Sequence, residues 1–122
     1  MSGGLSIHCV DVAQGRVASG LHVALYRLSN PGQTSTELIA QGHIGGNGLL
    51  DDAALMSEAI RVGGYEVLFD VGAFYRKQGT ALPSPGFLEV VPYRFHIADA
   101  QQHYHLPFKF TPWGFSLFRG GA

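Results

Sequence analysis

Hydrophobic and polar positions alternate along most of this chain with a period close to two. In LSIHCVDV, residues 5–12, Leu5, Ile7 and Cys9 share one face while Ser6, His8 and Val10 share the other, the pattern of a strand with one side in a core. His8 therefore lies opposite the apolar row. AQGRVASG reads as a loop by its glycine and small polar content, and LHVALYRL, residues 21–28, returns as a strand with Leu21, Val23 and Leu25 on one face. SNPGQTS is rich in turn residues, and TELIAQ, residues 36–41, reads as a short strand.

The glycine density of HIGGNGLLDD predicts a tight reversal or a close backbone approach to a ligand. DDAALMSEAIRVGG supports two readings: a helical turn capped by Asp51 or Asp52, or a strand ending in a loop. GYEVLFD, residues 64–70, is a strand pattern, and VGAFYRKQG fits a short surface helix ahead of the loop ALPSPG. Alternation is strongest in FLEVVPYRFHIAD, where Val91, Tyr93, Phe95 and Ile97 share a face; Pro92 places this strand at an edge or bulge. HYHLPFKF and WGFSLFRG add two more strands joined by a turn around residues 111–112. Seven or eight short strands with at most one short helix, and no tandem repeat, predict an all-β sandwich, taken as a single domain over residues 1–122.

Composition narrows the function classes. Hydrophobic residues make up 46% of the 122 and charged residues only 14%, against roughly 25% charged in typical soluble domains. So little charge on a small protein suggests that part of its surface is covered by subunit contacts. A formal net charge of −1 offers no basic field for nucleic acid or an anionic membrane. The opening MSGGLSIHCVD lacks a basic and then continuously apolar leader, and no run approaches the roughly 18 apolar residues of a membrane span. A cytoplasmic protein without nucleic-acid or membrane partners is the expectation. Cys9 is the sole cysteine, and its place in an apolar row suits a buried, inert thiol better than a nucleophile.

Six histidines are present, and three of them, His8, His103 and His105, lie in strand patterns at opposite ends of the chain, which a sandwich can bring together. In HYH, period-two alternation points His103 and His105 to one face. Neutral imidazoles are suited to proton transfer near pH 7, and two can divide the base and acid roles of a hydrolysis. The spacing also permits a metal, but no carboxylate or thiol stands at a matching position, so no metal is assigned. From spacing alone, exposed strand histidines without a role remain the default reading. His22, His43 and His96 are read as ordinary strand histidines. Arg119 carries a planar fork of donors suited to a carbonyl-rich or anionic substrate, though an arginine so close to the end of the sequence is more often simply solvated. Trp113, Phe115 and Phe118 suit core or interface packing.

The opening LSIHCVDVAQGRVASGLHVALYRL, with its histidine and following Asp-x-x-x-Gly, and the ending HYHLPFKFTPWGFSLFRGG resemble the transthyretin-like hydroxyisourate hydrolases, whose closing motif reads HYHxPxxxSPxGYSTYRGS. GYEVLFDVGAFY and FLEVVPYRFHIAD are also in register, so the likeness covers nearly the whole chain. It implies a transthyretin-like sandwich, a homotetramer with sites in the channel between dimers, and hydrolytic opening of the six-membered ring of 5-hydroxyisourate without metal or organic cofactor. It implies His8 and His105 as the catalytic pair and Arg119 as a substrate contact. His103, Leu49, Phe118 and Gly121 complete the expected pocket.

Two departures bear on the substrate. The family's mid-chain arginine, in a segment reading like NADGR, falls at Leu49, and the serine of its YRGS ending falls at Gly121, with Phe118 in place of the tyrosine and Ala122 beyond. Both changes remove hydrogen-bonding groups, and a pocket mismatched in this way rejects a polar substrate strongly. An N-methylated 5-hydroxyisourate, as would arise from a methylxanthine, is therefore one expected substrate. The competing expectation is a non-catalytic carrier of a small molecule, as transthyretin itself is; the retention of His8 and His105 argues for the enzyme.

Overall fold

Strand β1 (Leu5–Asp11) turns its alternating sequence directly into sidedness: Leu5, Ile7, Cys9 and Asp11 are buried, while Ser6, His8 and Val10 are half-exposed on the opposite face. This computed structural model describes residues 3–29 and 35–121. The turn expected in SNPGQTS falls mostly on residues 30–34, and these, like Ala122, lie outside the described residues.

The remaining elements are β2 (Arg16–Val17), β3 (His22–Leu28), β4 (Ser35–His43), β5 (Gly63–Asp70), helix α1 (Val71–Lys77), β6 (Val90–Ile97), β7 (Tyr104–Thr111) and β8 (Gly114–Leu117). They form two four-stranded sheets, ordered β2-β1-β7-β8 and β4-β3-β5-β6. The described pairings are antiparallel apart from β1 with β7, which run parallel. The predicted all-β sandwich with one short helix is the observed fold. Among the described residues, no helix is long and apolar enough to cross a membrane.

Aromatic stacking joins the sheets. Phe69 of β5 lies flat on Phe108 of β7, with ring centroids 3.8 Å apart and planes 6° from parallel. Phe110 stacks on Phe108 at 4.9 Å, and Phe74 and Tyr75 of α1 meet Phe110 edge-on, so the helix closes one end of the core. Burying each such ring contributes about 1.5–3 kcal/mol.

The sequence reading departs from the structure in short elements. AQGRVASG is not loop throughout: Gly15, at φ +69°, lets its N–H reach the Asp11 carbonyl, and Arg16 and Val17 then pair with Asp11 and Val10 as β2. Two residues are too few to show alternation. The ambiguous DDAALM segment is a single 3-10 turn, Ala53–Met56, capped by Asp52, whose carboxylate accepts from the Ala54 N–H at 2.9 Å and the Gln41 N–H at 3.1 Å. Pro92 sits in β6, an edge strand, where a missing N–H is tolerated.

Asp11 is fully buried. Its Oδ1 accepts from the Tyr75 hydroxyl at 2.6 Å and from the Gln14 N–H at 3.3 Å, while Oδ2 is a buried atom with no protein partner. Burial, and then the Asp11 carboxylate, push the Tyr75 phenol well above its ordinary range, so the hydroxyl stays protonated and donating. This bond pins α1 to the end of β1. Tyr75→Phe should keep the ring packing, strip the carboxylate of its shortest donor and lower unfolding free energy by about 1–3 kcal/mol; denaturant unfolding measures it.

Candidate active site

Two adjacent strands place the candidate histidines on the face of the first sheet turned away from the core. The parallel register of β1 and β7 sets Ser6 opposite His105 and His8 opposite Pro107. Since His8 shares the face of Ser6, and His105 that of Pro107, the two imidazoles are diagonal neighbours, about 8 Å apart at Cα from strand spacing and rise.

Both flanks of this pair are set by short bridges. On the β1 side, residues 48–50 run along the strand: Cys9 N–H donates to the Gly48 carbonyl at 2.9 Å, Leu50 N–H to the Ile7 carbonyl at 3.1 Å, and Leu49 pairs with His8. The glycine-rich segment is thus a reversal that approaches β1 closely. Gly48 lies at φ +83°, and a Cβ there would collide with the His8 ring. On the β7 side, β8 pairs with β7 up to Phe108 and Leu117 and resumes at His105 and Gly120, where Gly120 N–H donates to the His105 carbonyl at 2.8 Å. The same register sets Phe118 opposite Pro107, which has no N–H to offer the ladder. Gly120 itself packs against the ring edge of His105 and the ring of Pro107, at 3.3 Å each for a Cβ built upon it.

Two rows result across the sheet face: Leu49, His8, Pro107 and Phe118 in one, Ser6, His105 and Gly120 in the other. His105 is half-buried, and its Nδ1 is 2.6 Å from Ser6 Oγ; the same hydroxyl is 2.9 Å from His103 Nε2. His103 Nδ1 lies 2.8 Å from the Gly3 carbonyl. Desolvation first, and then electrostatic interaction with the neighbouring His8 and His103 imidazoles, lowers the His105 pKa below its ordinary 6.5. A lowered pKa favours the neutral imidazole, the state of a proton acceptor.

The sequence-predicted residues thus divide. His8, His105, His103 and Leu49 come together on this face, with Phe118 beside them. Arg119 meets them only at the His103 carbonyl, to which it donates at 3.4 Å: its guanidinium lies over the Tyr104 ring at 3.8 Å and donates to Gln102 Oε1 at 3.0 Å. Arg119 lies between Phe118 and Gly120, so strand alternation sends it, with Tyr104, to the face opposite His105. Gly121 is exposed at φ +62° with open space where a side chain would stand. Ser6 was not singled out in the sequence; its signal is a hydroxyl two residues before His8 on the same face. Cys9 is buried and its thiol is pushed up by desolvation, in keeping with an inert packed residue. His22 and His43 pair on the other sheet, rings 5.1 Å apart. Among the described residues, no three His, Cys, Asp or Glu side chains are grouped to hold a metal.

The chain is similar to known proteins over almost all of its length. The sequence profile described as HIUase/Transthyretin family matches residues 5–120. The "5-hydroxyisourate hydrolase 2" of Rhizobium meliloti (strain 1021) is 42% identical over 119 residues, 98% of this chain and 97% of that protein. The solved 5-hydroxyisourate hydrolase of Klebsiella pneumoniae superposes with a TM-score of 0.76 at 29% identity, covering 99% of this chain and 100% of that one. An (S)-allantoin synthase structure gives a TM-score of 0.88 at 33% identity; 98% of this chain is covered, which spans 44% of that longer chain.

Gly48 provides a direct check on the geometry. Gly48→Ala should cost about 1–2 kcal/mol for a left-handed backbone conformation and should displace the His8 ring, seen as a change in that imidazole's NMR shifts with those of His22 and His43 unmoved.

Proposed function

The chain belongs to the HIUase/transthyretin family, and on that premise we propose that it is a hydrolase opening the six-membered ring of 5-hydroxyisourate or of an N-methylated analogue. The observation that carries this reading is the juxtaposition of His8 and His105 on one face of adjacent strands, where burial lowers the His105 pKa. In the proposed reaction a water molecule attacks the ring amide carbonyl and gives its proton to the neutral His105. The ring C–N bond then breaks, and the imidazole pair supplies the proton that the leaving nitrogen requires. The reaction uses the chain's own imidazoles and water.

The substrate branch rests on Leu49 and Gly121, which stand where the family resemblance expects an arginine and a serine. Leu49 beside His8 favours an N-methyl group over an N–H, because an alkylated nitrogen asks for apolar contact and no acceptor. Phe118 and His103 border the same face, and Arg119 is a proposed substrate contact that would leave the Tyr104 ring to reach it. A homotetramer fits this arrangement: the histidine face is open in one chain, and Trp113, Phe115 and Phe118 are 68%, 45% and 50% exposed. Apolar side chains in such a group suit contact with another copy.

Ring opening followed by ultraviolet absorbance tests the proposal. Freshly generated 5-hydroxyisourate or its N-methylated analogues should open faster than spontaneously, and His8→Ala or His105→Ala should each lower kcat by roughly 10²–10⁴-fold. Spontaneous rates with every analogue would reject the hydrolase and leave the carrier. Leu49→Arg should shift preference toward the unmethylated ring. The pH profile follows from the sign of the His105 shift: a lowered pKa keeps the base neutral below pH 6.5, so kcat/KM should persist there and fall only as pH drops through the lowered value.

A further inference from the structure

Resting on the hydrolase reading above, we propose that Ser6 and His103 are positioning residues that fix the tautomer of His105, holding the proton on Nδ1 and leaving Nε2 bare to accept a proton from water.

Donor and acceptor rules along one chain of contacts carry the inference. The Gly3 carbonyl can only accept, so His103 Nδ1, 2.8 Å away, carries a hydrogen. In its neutral form His103 has one N–H, already on Nδ1, so its Nε2 accepts, and the group 2.9 Å from it is the Ser6 hydroxyl. That hydroxyl has a single hydrogen, now committed to His103. Toward His105 Nδ1, at 2.6 Å, Ser6 Oγ can therefore only accept, which requires His105 to be Nδ1–H. The remaining ring nitrogen, Nε2, then has its lone pair free on the side of the ring away from Ser6.

Chain geometry sustains this direction. The parallel register places Ser6 squarely opposite His105, so the short contact follows from backbone pairing. Gly3 is held in turn by its N–H donating to the Ala100 carbonyl at 2.7 Å, and Tyr104 N–H donates to the Gly4 carbonyl at 3.0 Å. The terminal acceptor of the relay is thus fastened to the segment that carries His103. The first histidine of HYH acquires a purpose distinct from the second: it orients the hydroxyl that orients the base. The arrangement parallels the general rule that a base is set in its working tautomer by the hydrogen bond on its other nitrogen.

Long-range proton–nitrogen NMR spectra of the assembled, 15N-histidine-labelled protein near pH 7.5 distinguish protonated from bare ring nitrogens and test this without reference to turnover. The wild type should show His105 as Nδ1–H with Nε2 bare. Ser6→Ala removes the acceptor, and His103→Leu frees the Ser6 hydrogen to point at His105; both should move His105 toward Nε2–H. Ser6→Thr keeps a hydroxyl and should restore the wild-type pattern. In the kinetic arm, Ser6→Ala and His103→Leu should lower kcat roughly 10- to 100-fold, part of what acid–base catalysis contributes, with KM within about threefold, and Ser6→Thr should recover most of it. A wild-type His105 found as Nε2–H, or a tautomer unchanged in both Ser6→Ala and His103→Leu, overturns the relay even if the enzyme turns over. Should no ring opening be seen in the wild type, the hydrolase reading fails, and the spectra alone decide the relay.

Discussion

The site depends on the parallel pairing of β1 with β7. These strands come from opposite ends of the chain, and the contact between Ser6 and His105 spans 99 residues. Their register does two jobs at once. It delivers Leu5, Ile7, Cys9, Leu106, Phe108 and Phe110 to the core, and it delivers Ser6, His8 and His105 to the other face as neighbours. A slip of one residue in either strand would turn its apolar row outward. The energy that specifies the fold therefore also specifies the spacing of the imidazoles.

Much of this was legible locally. Alternation in LSIHCVDV put His8 opposite the apolar row, the HYH spacing gave His103 and His105 a common face, and VGAFYRK was visible as a short helix. What local pattern cannot supply is pairing across the length of the chain. That β1 lies parallel to β7, with Ser6 against His105, is a property of topology, and so Ser6 passed unnoticed. β2 was missed because Arg16 and Val17 are too few to alternate. Arg119 shows a different limit. Its position three residues from the end of the sequence says nothing about the pairing with β7, which sets Arg119 on the face of Tyr104, over whose ring the guanidinium lies.

Fold and site also share their glycines. Gly48 and Gly120 press backbone against the rings of His8 and His105 from the two sides of the β1–β7 pair, so each imidazole is confined by a main chain that admits no Cβ without movement. Leu49 enters on one of these backbones. The residue proposed to set substrate preference is thus carried by the same loop that packs against a histidine. The exposed aromatic side chains of the last strand lie beyond the other flank, where a second copy would wall off the face from bulk water and strengthen every polar contact within it.

The central claim is that His8 and His105 act as one acid–base unit. The most direct measurement is a double-mutant cycle on kcat/KM for ring opening, comparing His8→Ala, His105→Ala and the double variant. Groups acting together lose nearly their whole contribution when either is removed, so the double variant should be scarcely slower than the worse single one. Losses that multiply across the cycle would mean that the two imidazoles work independently, and would contradict the shared site.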